Sequence, residues 1–545
     1  MRVTYWAEHA WLNHPTPTPE STPGPASPSA PAPRPEPSPS VGAAPTGPGS
    51  VGPDSVGSAP VSPGSAGAAP AGPAPGGGVL AGVLIEVRDG RVAAVRPDVA
   101  TPPPGAVVLR GLTVPGLANA HSHAFHRALR GAAQVSPAAQ AASPSANTSS
   151  SSASSSTTSS GAGLASARRG GGRAPDSFWT WREVMYGVAE RLTPDSYHAL
   201  ARATYAEMAL AGITSVGEFH YLHHAPGGAR YQDPNAMGEA LLAAAADAGI
   251  RITLLDTAYL SAGFGDPPTR PQLRFSDGTA DAWAERASAL GAPEHARLGA
   301  AIHSVRAVPA DQLATVAGWA AGRNAPLHVH LSEQTAENDA CRAAHGRTPT
   351  ELLAEHGALG PRTVAVHATH LTSADIALLG GAHTGVCMCP TTERDLADGI
   401  GPAVALQEAG SPLSLGSDSH AVIDLLEEAR AMELDERLRT RARGHWTAAE
   451  LLHAATAAGH AALGWQDAGR IAPGALADLT TLALDSVRTA GPPPSLGVET
   501  AVFAASSADV RHTIVGGRHI VRDGAHALLP DVPTALAQSI AAVLG

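Results

Sequence analysis

The stretch GLANAHSHAFHRALRG, residues 116–131, places two imidazoles one residue apart after the apolar run LTVPGLANA. In an extended strand, side chains at i and i+2 project to one face, so His121 and His123 can aim two ring nitrogens at one point. Neighbouring metal ligands need that convergence. The spacing alone is weak, because the chain holds 25 histidines in 545 residues and one such pair arises by chance roughly once in so His-rich a chain. Other donors decide the matter. His330 and Glu333 follow APLHV, His367 ends RTVAVH, and Asp418 follows PLSLGS. Glu218, His220 and Tyr221 follow ITSVG, and His303 and Arg306 follow GAAI. Histidines and an aspartate at the ends of successive apolar runs point to a metal site rather than to packing or solvation.

Those ends must be held by strands. Between about 114 and 467, β-rich runs such as IRITLLDTAY, RLGAAIHSV and HTGVCMCP alternate with helical patterns such as MGEALLAAAADAG. Eight such units predict an α/β fold, a (β/α)8 TIM-like barrel with its site at the C-terminal ends of the strands. Residues 1–13 and 80–113 carry short β runs broken by Asp-Gly, and 468–545 repeat the pattern in ADLTTLALDS, ETAVFAAS and VRHTIVGGRHIVRDG. They predict a small β-sandwich domain built from both chain ends, closed by a C-terminal helix. Residues 14–79 are rich in Pro, Ala, Ser and Gly, and about 132–175 is Ser-rich. Both are expected to be disordered insertions, with too few large apolar side chains to offset ordering entropy.

Bulk composition excludes several classes. The net charge is −12 and no basic stripe appears, so nucleic acid is not an expected partner. No apolar run reaches membrane-spanning length, and MRVTYWAEHAWLN lacks the pattern of a secretory signal, so the expected location is the cytoplasm. Cys341, Cys387 and Cys389 are too few for a disulfide framework; Cys-Met-Cys reads as strand packing. All 36 basic residues are arginine. Schiff-base chemistry and a lysine-bridged metal pair are thereby excluded, and anionic groups must be held by Arg, His or backbone N–H.

The motifs HSH (121–123), HLSE (330–333), VHATH (366–370) and GSDS (416–419) resemble the amidohydrolase superfamily, in particular its mononuclear deaminase branch. AEHAWL (7–12), FWTWREVMY (178–186), GEFHYLHH (217–224), HVHLSEQTAEN (328–338) and CPTTERDLADGI (389–400) resemble the formimidoylglutamate deiminases within it. The resemblance implies one Zn2+ per chain on His121, His123, His330 and Asp418, with iron possible on the same donors. It implies that His367 hydrogen-bonds the attacking water, that Asp418 accepts its proton, and that Glu333 protonates the departing ammonia. The implied reaction converts N-formimino-L-glutamate to N-formyl-L-glutamate in histidine degradation, in a homodimer. Arg182 and Arg306 suit the two carboxylates of that small-molecule substrate, with Tyr221, His303 and Gln334 as further substrate contacts. His328 reads as a buried hydrogen-bonded histidine, and His220, His223, His224 and His370 as supporting residues. Trp179 and Trp181 either wall the pocket or pack. His126 has no assigned role. The alternatives are another deaminase or cyclic amidine or amide hydrolase on the same fold, such as a purine aminohydrolase or an imidazolone hydrolase, or a metal-binding barrel without turnover. The two arginines separate the first from a neutral-heterocycle enzyme.

Overall fold

The computed structural model describes residues 2–13, 77–131 and 178–545. The expected disordered insertions lie outside these residues, save for 77–79. Those three open the strand Gly77–Arg88, because Gly77, Gly78 and Val79 pair with Asn13, Leu12 and Trp11.

Eight parallel strands form the barrel: Leu117–Ser122, Ile213–His220, Arg251–Ala258, Ala296–Ile302, Leu327–Leu331, Thr363–His367, Gly385–Met388 and Leu413–Leu415. Each pairs with its neighbour in chain order. The second and third are buried along their whole length, as strands covered by helices must be. The first and eighth are brought together by a bridge between Ser122 and Asp418. Gly416 permits that approach: a Cβ there would stand 2.7 Å from the His121 Cβ. The run LTVPGLANA is divided by this architecture. Pro115 ends a strand of the other sheet, and Leu117 begins the barrel.

The second sheet also has eight strands, and both chain ends contribute. Leu479–Leu482 pairs with Val107–Pro115 and joins the two ends in one hydrogen-bonded layer. Tyr5, Val83, Ile85, Leu109, Ile471 and Ile514 give it an apolar core of its own. ETAVFAAS was expected as a strand and is instead the helix Gly497–Phe503. Val498, Ala501 and Val502 bury one face at helical spacing, which outweighs the local β-propensity. The C-terminal helix is Val532–Leu544, started by an Asp531 cap. No helix among the described residues is long and apolar enough to cross a membrane.

Behind the third barrel strand lies a buried ionic group. Arg286 meets Asp256 at 2.8 Å and Asp277 at 3.0 Å, and His224 meets Asp277 at 3.1 Å.

Candidate active site

Strand ends carry the polar cluster that the spacing predicts. His121 is fully buried in the first barrel strand, and its Nε2 lies 3.2 Å from Asp418 Oδ1. His123 Nε2 lies 3.4 Å from the same oxygen. His330 Nε2 stands 3.1 Å from His121 Nε2. The far side of two rings is tied to main chain: His123 Nδ1 donates to the Phe219 carbonyl at 2.9 Å, and His330 Nδ1 to the His303 carbonyl at 2.9 Å. Their Nε2 atoms are therefore left as lone pairs turned inward. Lone pairs and a carboxylate oxygen converging without a donor between them make a cradle for a cation. His121, His330, His367 and Asp418 each bring a donor atom within 4.8 Å of the others, as do His123, His126 and Asp418.

Burial shapes the charges. It lowers His121, His123 and His330, with His123 held at about 3, so all three are neutral imidazoles as ligation requires. His367 behaves oppositely. Burial would lower it, but Glu333, Glu393 and Asp418 around it raise it well above its ordinary value. Its Nε2 is 3.8 Å from Glu333 and 3.9 Å from Asp418, and its Nδ1 is 3.5 Å from Glu393. Glu333 itself is raised by burial. The chain turns sharply here. Ser332, His367, Ala368, Asp418 and His420 all adopt positive φ without being glycine, a strained conformation that concentrates at this pole of the barrel.

The sequence placed Glu218 at a strand end without a role and gave no sign of Asn119, Ser417 or Glu393 as supports of this cluster. Glu218 accepts from the Ser122 hydroxyl at 2.9 Å and from the Ala124 N–H at 2.7 Å, clamping the turn between and beyond the two histidines. Burial pushes Glu218 up to about 7. Asn119 donates to Ser417 Oγ at 2.7 Å, and its carbonyl oxygen accepts from the Ser417 N–H at 2.9 Å, locking the first strand to the Asp418 turn. Glu393, in the TTER stretch, orients His367 and accepts from the Cys389 N–H. The signal for Glu218 was present as an acid inside an apolar strand; its partners were not visible in one dimension.

A chamber opens above the cluster, lined by His123, His330, Glu333, His367 and Asp418 and by Tyr221, His303, Arg182 and Arg306. Arg182 donates to the Tyr186 hydroxyl at 2.6 Å. Arg306 Nε donates to the buried Glu337 at 2.8 Å. Trp181 is part of the wall, while the Trp179 side chain lies outside the described atoms. Gln334 is not in the chamber: its amide is bound to Asp398, and it borders an outer recess of about 540 Å³ that shares Arg182 and Arg306 with the chamber. His328 donates to the Ala462 carbonyl at 3.0 Å, a buried hydrogen-bonded ring. Cys387 and Cys389 are buried free thiols.

The sequence pattern of the amidohydrolase family matches residues 112–520, which take in the whole barrel and most of the strands that follow it. The chain belongs to the amidohydrolase family. It is a hydrolytic enzyme of C–N bonds, and the chamber is its candidate active site. It is 38% identical over 453 residues to formimidoylglutamate deiminase from Pseudomonas aeruginosa, covering 81% of this chain and 90% of that one. It is 34% identical over 354 residues to 8-oxoguanine deaminase from the same organism, covering 63% and 76%. The crystal structure of an amidohydrolase from Brucella melitensis superposes with a TM-score of 0.71 at 30% identity, covering 86% of this chain and 97% of that one.

Proposed function

We propose that this amidohydrolase hydrolyses the amidine C–N bond of N-formimino-L-glutamate, releasing ammonia and N-formyl-L-glutamate in histidine degradation. One observation carries the reading: Arg182 and Arg306 line the same chamber as His330, Glu333 and Asp418. A substrate with an amidine at one end and two carboxylates at the other needs both groups of residues within one small molecule's length. The Pseudomonas relative is named for that substrate.

The ligand set we assign is His121, His123, His330 and Asp418. Neutral imidazoles with one carboxylate suit zinc, and iron can use the same donors. Zinc held there supplies Lewis acidity that lets a water lose its proton near neutral pH. Asp418 accepts that proton. His367, between Asp418 and Glu333, hydrogen-bonds the attacking water and steadies the charge that develops. Glu333, whose burial favours the protonated form, delivers a proton to the nitrogen that leaves as ammonia. Arg306 and Arg182 each grip a carboxylate, and Tyr221 and His303 hydrogen-bond the substrate between them, while Gln334, bound to Asp398 outside the chamber, has no direct part. One zinc per chain, a homodimer and a cytoplasmic location belong to the same reading.

A second reading has support from the aromatic wall of Trp181, Tyr186, Tyr221, Tyr259 and Phe275, which suits a flat heterocycle. The test is ammonia release by zinc-loaded protein from N-formimino-L-glutamate and, side by side, from 8-oxoguanine. Turnover of the first with N-formyl-L-glutamate as co-product supports the proposal. Turnover of the second alone overturns it.

A further inference from the structure

His126 takes no part in that mechanism. It lies in the turn Ala124–Leu129, is 2% exposed, and its ring centre is 4.5 Å from that of His123. Its Nδ1 is enclosed with no hydrogen-bond partner among the described residues, and its Nε2 lies 3.2 Å from the Tyr221 hydroxyl. A phenol both donates and accepts, so Tyr221 can orient either tautomer of the ring and still leave one nitrogen unused. A buried nitrogen without a partner is costly, and a ligand would recover that cost. His126 borders the same chamber as His123 and Asp418. One donor atom from each of the three lies within 4.8 Å of the other two.

We propose that His123, His126 and Asp418 form a second divalent-cation site that overlaps the first, and that filling it inhibits the enzyme. The inference rests on the reading above only in that the first site also holds a metal. His123 has a single inward lone pair, because its Nδ1 is spent on the Phe219 carbonyl. It serves one cation at a time. Asp418 has two carboxylate oxygens and can bridge. A cation on His126 therefore draws His123 away from the first site and leaves it His121, His330 and Asp418, whose donor atoms lie within 4.8 Å of one another. Without His123 the first site lacks one of its four ligands and no longer sets the attacking water, so turnover falls. Two imidazoles and one carboxylate select a borderline cation such as Zn2+ over Mg2+ or Ca2+.

Metal-free protein is dialysed against rising free Zn2+, and bound zinc is counted by mass spectrometry for the unaltered chain, His126→Gln and His126→Asn. Activity is read on the same samples, and circular dichroism checks that each variant is folded. The expected result is a second equivalent of zinc in the unaltered chain at high free zinc, with activity falling as it fills. Both variants stop at one equivalent and lose the zinc inhibition. An unaltered chain that stops at one equivalent overturns the proposal, as do folded variants that still take two. An unaltered chain that binds no zinc sinks the metal reading itself. Cobalt gives an independent readout: its visible spectrum should change on the second equivalent in the unaltered chain, and a spectrum that stays constant after the first counts against the site.

Discussion

The floor of the chamber and its wall are built in different ways. On the floor, His123 and His330 are oriented by carbonyls of neighbouring strands, and Asp418 is set by the turn that Asn119 and Ser417 lock. On the wall, Arg182 is held by Tyr186 and Tyr259, and Arg306 by Glu337, side chain to side chain. Main-chain partners cannot change unless the sheet changes, whereas side-chain partners can be exchanged one at a time. On the function proposed above, the chemistry is anchored in the barrel and substrate choice rests on replaceable parts.

Breaking the floor should cost most. Asp418→Ala should lower kcat/KM on the order of 10⁴-fold and abolish zinc binding, read by steady-state kinetics and metal analysis. Glu333→Gln should lower kcat about 10²–10³-fold with zinc content unchanged, which separates proton delivery from ligation. The wall should fail differently. Arg306→Met, combined with Glu337→Gln so that no buried carboxylate is stranded, should raise KM about 10–100-fold with kcat largely kept. If kcat collapses instead, the floor and wall are not separable. Glu218→Gln tests the support beneath the floor: zinc affinity should fall about tenfold by competition with a chelator, with KM at saturating zinc unaffected.

The smallest effect lies away from both regions. Burial alone would raise Asp277, but His224 and Arg286 beside it hold it at about 2, below its ordinary 3.8. The folded chain therefore ionises Asp277 more readily than the unfolded chain does. Its contribution is present above pH 3.8 and is lost as pH falls toward 2. Asp277→Asn should remove about 2 kcal/mol of stability near neutral pH and flatten the acid limb of the denaturation curve. An unchanged acid limb would mean that this network does not couple folding to pH.

Legibility followed the range of the interactions. The eight barrel strands and the residues at their ends were readable, because a buried strand announces itself as an apolar run and its polar terminus stands out. ETAVFAAS was misread, since a short apolar run serves a helix or a strand equally well until its neighbours are known. Glu218, Asn119, Ser417 and Glu393 were not readable as supports, because each acts on a residue far away in the chain.

By itself the sequence determined the donor inventory: six histidines, an aspartate and two glutamates at strand ends, arginine as the sole cationic side chain besides histidine, and a pattern of alternating strands and helices between about 114 and 467. Tertiary structure alone decided which of those donors meet. It set His121 beside Asp418, gave Arg306 to Glu337, turned Gln334 toward Asp398, and left His126 Nδ1 without a partner among the described residues. The physical reason is closure of the barrel. Pairing the first strand with the eighth brings residues some 300 positions apart to within hydrogen-bonding distance, and no local propensity encodes that distance.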